Sequence, residues 1–333
     1  MFWGSSRGSA RGKQHTLPVH PETGLHYRQI VPASWGPFVE CRATLSALAI
    51  TRPWLSVITP EQFGAERKNA AFWQSPSLCY LDWSNELAAI GNPRDRKCLV
   101  AIYALEALGA EDKMLSSHRR HWARFRECAQ NYDAVLAYEP ALVAQIQTWG
   151  LVTGLYPLGW TPLTAGYPRW GTAKFEDYVY WGSPAGKRQA IVPFLKKSLE
   201  GHFVDASGTF GRRLTGVLDT ARAALHIAHS DVPTFAQWRA WQAMASSAAI
   251  VAERVAAWPL VADQHYLAIE PITLDNLDAT AAHLRQLIIR DRERPLFQPI
   301  ALAANVLGSQ FRAEWCLDHY LLPASLAMKE RRR

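Results

Sequence analysis

Between Phe175 and Glu253 the chain alternates short apolar strands with glycine turns and helix starts, a pattern that restricts this segment to a parallel α/β sheet. It opens on the aromatic strand Tyr178-Val179-Tyr180-Trp181. A tight turn, Gly182-Ser183-Pro184-Ala185-Gly186, follows, and Lys187 and Arg188 stand at the mouth of a helix expected over 189–199. A second unit runs from the apolar stretch 223–228 through His229-Ser230-Asp231-Val232-Pro233-Thr234 into a helix bearing Arg239 and Gln242. It ends on the strand 248–252, closed by Glu253. Strand, glycine turn and helix N-terminus together form an anion cradle, because free backbone N–H groups and the helix dipole both favour negative charge. Two such cradles on neighbouring strands suit a diphosphate.

The remainder of the chain extends the pattern. Strands are expected at His26–Val31, Leu55–Thr59, Leu78–Trp83, Cys98–Ala104, Ala134–Tyr138 and Val152–Pro157, with helices at Phe38–Ala49, His118–Ala129 and Pro140–Trp149. Gln62–Trp73 reads as helix or loop. Pro162, Gly166, Pro168 and Gly171 mark a linker over 161–172. At 333 residues the chain suits two domains of about 150 residues each, here 19–160 and 173–290. Beyond them, strand and helix are expected at His265–Ile269 and Leu274–Ile289. Pro295 and Pro299 should break the chain before a long helix over Ile300–Glu330, so that 291–333 is a helical tail able to pack back on the first domain.

Composition narrows the setting. With 49% hydrophobic and 20% charged residues the chain is globular rather than disordered. Its net charge of +7 is partly carried by the ends, Arg7, Arg11 and Lys13 in front and Lys329 with Arg331–Arg333 behind, which leaves a nucleic-acid partner open. Residues 1–18 read as a flexible basic leader. The five cysteines include no C-x-x-C pair, as expected of reduced thiols in a cytoplasmic protein. The longest apolar run, Ala243–Ala252, is half the roughly 20 residues that a membrane span requires.

Several segments taken in order resemble the GT-B glycosyltransferases, nearest to the bacterial group-one-type enzymes and their CgeB-like relatives. Tyr132-Asp133-Ala134-Val135-Leu136-Ala137-Tyr138-Glu139-Pro140 looks like the last strand of that family's first domain, and Leu155–Gly159 like the strand entering the hinge. Val179–Ser183 with Lys187-Arg188 looks like the start of the donor domain. Ala224–Pro233 looks like the donor loop, and Gln237–Ala245 like the helix behind it. The resemblance implies two Rossmann-like domains facing a cleft. It implies a nucleotide-diphosphate sugar as donor substrate, with neither a tightly bound cofactor nor a metal.

The same resemblance supplies the candidate residues. Gly182, Ser183, Lys187, Arg188, Arg239, Gln242, Thr234 and Glu253 would face the donor. Ser34, Trp35, Gly36 and Tyr103 would line the acceptor side, and His229, Asp231, Glu40 and Glu106 would serve the chemistry. The chain also departs from the family. Retaining members carry a glutamate pair flanking the donor sugar and ribose, where this sequence has Thr234 and Gln242, and Ser246-Ser247 replace the usual glycine. A glutamine accepts hydrogen bonds more weakly than a carboxylate does. Sugar transfer, epimerisation or hydrolysis of the donor, and binding without turnover all stay open, as does the acceptor: polysaccharide, surface material, small molecule or a DNA base. His118-Arg119-Arg120-His121 reads as a polar helix face rather than a metal pair.

Overall fold

In the computed structural model, residues 17–31, 36–82, 96–104, 116–229, 237–255 and 257–332 are described. The first lobe contains β1 (His26–Ile30), α1 (Gly36–Thr51), β2 (Leu55–Ile58), α2 (Pro60–Glu66), α3 (Ala70–Gln74), β3 (Ser77–Asp82) and β4 (Leu99–Ala104). α4 (Ser116–Ala129), β5 (Ala134–Ala137), α5 (Pro140–Gln147) and β6 (Thr153–Leu155) complete it. Its strands are all parallel, in the order β2-β1-β3-β4-β5-β6. The near-continuous apolar runs at 99–104 and 134–137 are buried on both faces, as parallel strands covered by helices require.

A short helix, α6 (Pro162–Ala165), leads to the second lobe. There β7 (Glu176–Tyr180), α7 (Arg188–Ser198), β8 (Phe203–Asp205), α8 (Gly211–Asp219), β9 (Ala221–His226) and α9 (Gln237–Met244) alternate. β10 (Ala249–Glu253), β11 (Leu267–Ile269) and α10 (Leu277–Glu293) follow. This sheet is also parallel, in the order β11-β10-β9-β7-β8. In both sheets the first strand lies between the second and the third. The order therefore reverses beside that first strand, and open α/β sheets leave a ligand crevice at the carboxyl ends there. In the second lobe that point is the carboxyl end of β7 and β9.

Strand periodicity explains how the second sheet is packed. Tyr178 and Tyr180 face a core formed with Ile191, Leu195, Leu284 and Leu287, whereas Val179 and Trp181 face the opposite cluster with Leu214, Trp241 and Met244. That second cluster continues through Phe311 and Trp160 into the first lobe. A stacked Trp241–Phe311 pair, 5.2 Å between ring centroids, and an edge-on Trp258–Phe311 pair lie along it.

One expectation is made definite and two need correction. Gln62–Trp73 is two short helices, because Thr59 and Gln62 form a reciprocal capping box for α2 and the Asn69 side chain caps α3. Pro299 does not break the chain; it sits in the first turn of α11 (Phe297–Ser309), where no intrahelical N–H is lost. The tail is also not one helix. After α11 come α12 (Ala313–Cys316), a π turn over Leu317–Leu321 and α13 (Leu322–Arg332). The break coincides with Phe311 entering the ring cluster and with Ala313 N donating to Trp160 O at 2.7 Å.

α13 lies against the first lobe. Tyr27 Oη and Ser325 Oγ are 2.6 Å apart, Lys329 Nζ donates to Thr23 O, and Arg332 donates to the carbonyls of Arg96 and Cys98.

Candidate functional site

The turn after β7 can form only because Gly182 and Gly186 adopt φ of +130° and +60°. Each is also in close contact with a side chain from elsewhere. A Cβ built on Gly182 would lie 2.7 Å from Arg239 Nε and closer still to Nη2; one on Gly186 would lie 3.1 Å from His229 Nε2. The two glycines thus let Arg239 and His229 press against the main chain of the turn. Lys187 N donates to His229 O at 3.2 Å and joins the two strand ends.

α7 starts from this turn with cations and no acidic residue in its first turn. Such a helix start is unfavourable for the protein alone, since the dipole there favours anions. Arg188 is buried, its Nε donating to Ile227 O at 2.8 Å and its Nη1 to Ser183 O at 3.5 Å. Arg239 Nη1 reaches the same Ile227 carbonyl at 3.5 Å. Burial works against the charge of both, and for Arg239 the like charge of Arg188 adds to it. Among the described residues neither guanidinium has a carboxylate within ion-pair distance. The two crowded cations, with no ion-pair partner among the described residues, make this edge a region of positive potential. Of the two, Arg239 keeps the more solvent-facing position.

Lys187 and Glu253 are placed otherwise than the sequence reading expects. Lys187 Nζ lies 2.6 Å from Glu253 Oε1 and donates to Ile272 O at 2.6 Å; the carboxylate also accepts from the amides of Ile272 and Ala228. Glu253 is 1% exposed. Both side chains are committed to the protein, where they fasten the carboxyl ends of β9, β10 and β11 to the start of α7. They position the edge rather than face a ligand.

Gln242 is also engaged, its Oε1 accepting from Trp181 Nε1 at 2.9 Å. His226 is 2% exposed and held neutral, its pKa pushed well down by burial and then by Arg239 and Arg188, as befits a core histidine. Ser247, in the place of the usual glycine, is a hub. Its N and Oγ both donate to Asp219 Oδ1, and Lys174 Nζ donates to its Oγ.

On the first lobe, Tyr103 does not face the acceptor side. It is 3% exposed, and its hydroxyl donates to Tyr156 O at 2.7 Å within the sheet core. The reason is its position in β4, which is buried on both faces. Gly36 opens α1 and Glu40 follows one turn on, with the Glu40 side chain outside the described residues. Ser34, Trp35, Glu106, Ser230, Asp231 and Thr234 also lie outside them, and with these last three goes most of the second cradle. Among the described residues there is no group of three metal-ligating side chains, and no helix is long and apolar enough to cross a membrane.

One residue not singled out in the sequence stands at the carboxyl edge of the first sheet. Glu139 follows β5 and precedes α5, is half-buried, and makes no capping hydrogen bond to that helix. Burial pushes its carboxyl up to about 7. The only sequence signal is an acid between an apolar strand and a helix-starting proline.

No protein-family model matches the chain, and no curated protein matches it by sequence. Solved structures do resemble it. TarM is similar with a TM-score of 0.53 at 11% identity, over 75% of this chain and 54% of TarM, so the chain spans about half of that protein's length. Anabaena HepE, solved with UDP and glucose, is similar with a TM-score of 0.60 at 12% identity over 92% of this chain and 99% of HepE. A glycosyltransferase from Rickettsia africae gives 0.56 at 10% identity, over 92% and 99%. The fold is thus the GT-B fold of two Rossmann-like lobes facing a cleft, followed by a helical tail.

Proposed function

We propose that the protein transfers a sugar from a nucleoside-diphosphate sugar to an acceptor hydroxyl, with the diphosphate held at the carboxyl edge of the second sheet. The observation that carries this reading is the Arg188–Arg239 pair beside the Gly182 turn. Its charge lacks a protein counter-ion among the described residues, and it lies where the strand order reverses. A GT-B fold shared with HepE, solved in complex with UDP and with UDP-glucose, supports the nucleotide-sugar donor. Fold alone does not fix function, so the weight rests on the site.

Breaking the bond between anomeric carbon and phosphate leaves a nucleoside diphosphate whose charge must be stabilised as it develops. Arg239 would bond the phosphate oxygens, and Arg188 would add positive potential from behind. Main-chain amides of the 182–186 turn and the dipole of α7 would complete the cradle, the Lys187 amide being already engaged by His229 O. Lys187 and Glu253 would act indirectly, by fixing that turn against β9 and β10. His229, held over Gly186, would border the sugar, with Asp231 and Thr234 shortly after it in the sequence. Gln242 would bind the ribose less strongly than the family's glutamate, since Trp181 already uses its carbonyl oxygen.

The test is a thermal-shift panel of uridine, guanosine, thymidine and cytidine diphosphates and their sugars, on wild type and Arg239→Ala. A ligand at 100 times its Kd stabilises the fold by about 2.7 kcal/mol. The reading requires at least one clear upward shift that Arg239→Ala abolishes. No shift with any of them, or equal shifts in the variant, would refute it.

A further inference from the structure

We propose that Glu139 is the general base that takes the proton from the acceptor hydroxyl; the inference rests on the glycosyl-transfer reading above. Glutamate is a poor N-cap, yet here it occupies that position, at φ −138° and ψ 151°, without capping the helix that it precedes. Among the described residues it has no ion-pair partner either, and the side chain is half-buried. Burying a carboxylate with no partner costs stability and gives the fold nothing in return, as is usual for groups kept for chemistry.

Its place in the fold suits the task. β5 pairs with β6 through Ala137↔Leu155, and the chain runs from the carboxyl end of β6 through Tyr156 and Leu158 to Trp160 and on into the second lobe. Residue 139 is therefore at the carboxyl edge of the first sheet, after the strand next to the one that leads into the crossover, and a ligand crevice in open α/β sheets opens at that edge. Two other acids among the described residues of these sheets are less suited. Glu253 is consumed by Lys187 and two amides, and Asp133 lies at the amino end of β5, paired with Arg96.

The step balances without a further reagent. The acceptor oxygen forms a bond to the anomeric carbon as the bond from that carbon to the phosphate oxygen breaks. The hydroxyl proton passes to the Glu139 carboxylate, the electron pair leaves with the diphosphate, and the proton is later released to water. A carboxyl that titrates close to neutrality matches a base working near pH 7, since efficiency peaks when pKa and operating pH coincide.

The test uses the full chain with UDP-glucose as donor and water as the acceptor. Calorimetry reads donor affinity, and initial rates of donor hydrolysis are followed from about pH 5 to pH 9. Glu139→Gln should bind UDP-glucose within about twofold of wild type, hydrolyse it about a hundredfold more slowly, and lose the rise in rate centred near pH 7. Glu139→Asp should recover part of the rate. Unchanged hydrolysis in Glu139→Gln, or a retained rise with pH, would overturn the assignment, as would a wild type that binds the donor but hydrolyses none at any pH. A wild type that binds neither UDP-glucose nor any other nucleotide sugar of the thermal-shift panel would instead overturn the donor reading, and the base with it; where another sugar of the panel binds, it replaces UDP-glucose in the same assay.

Discussion

The guanidinium of Arg239 occupies the space that a side chain at residue 182 would need: a Cβ there would be 2.7 Å from Nε, on a backbone held at φ +130°. Gly182→Ala must therefore strain the turn and displace Arg239 together, at a cost on the order of 1–3 kcal/mol. The variant is expected to stay folded and to bind UDP at least about tenfold more weakly. Calorimetric titration alongside circular dichroism checks both, and wild-type affinity in a folded variant would detach Arg239 from the phosphate.

Lys187 and Glu253 form a buried pair at 2.6 Å. Lys187→Met leaves an unpaired carboxylate at a position 1% exposed and should cost about 3–5 kcal/mol. Adding Glu253→Gln should restore a good part of this, because the charge goes while the Ile272 amide keeps an oxygen acceptor. Urea denaturation of wild type, single and double variants reads the coupling. A Lys187→Met protein as stable as wild type would mean that the pair does not fasten the edge.

The α/β alternation and the strands of both sheets could be read from the sequence, since a run such as Leu99–Ala104 fits a buried parallel strand and the glycine turns punctuate it. The same local signals located the turn at 182–186 and its neighbouring cations. The roles of those cations were not legible, because they depend on a partner 66 residues away: Lys187 looks like a phosphate ligand until Glu253 is found against it. Tyr103 misled for a related reason, its hydroxyl being satisfied by Tyr156 O across two strands. The broken tail also escaped, since Phe311 leaves the helix for rings on α9 and at Trp258. Glu139 gave only a faint signal, since desolvation depends on what surrounds a group and not on its neighbours in sequence.

Trp181 is 2% exposed and its indole N–H has Gln242 Oε1 as acceptor at 2.9 Å. Gln242→Ala should cost about 1–3 kcal/mol by leaving that donor unsatisfied, whereas Gln242→Glu keeps an acceptor and should lose far less. Thermal melts at neutral pH separate the two variants. Equal losses in both would show that the hydrogen bond contributes little.

Glu139 also predicts how stability depends on pH. Its carboxyl is raised from 4.5 to about 7 in the folded chain, so folding favours the protonated form. That contribution is complete below the unfolded value and is lost as pH rises through the folded one. Glu139→Gln should therefore match wild type near pH 4.5 and exceed it above pH 7, by no more than about 3 kcal/mol. Parallel melting curves across this range check the sign, and a variant less stable than wild type at the alkaline end would contradict it.

A crystal structure of the protein with bound UDP should show the diphosphate against the Gly182–Arg188 turn, its oxygens within hydrogen-bond distance of the Arg239 guanidinium and of main-chain amides at the start of α7. A nucleotide bound elsewhere, or a diphosphate turned to solvent with Arg239 still resting on Ile227 O, would contradict this placement.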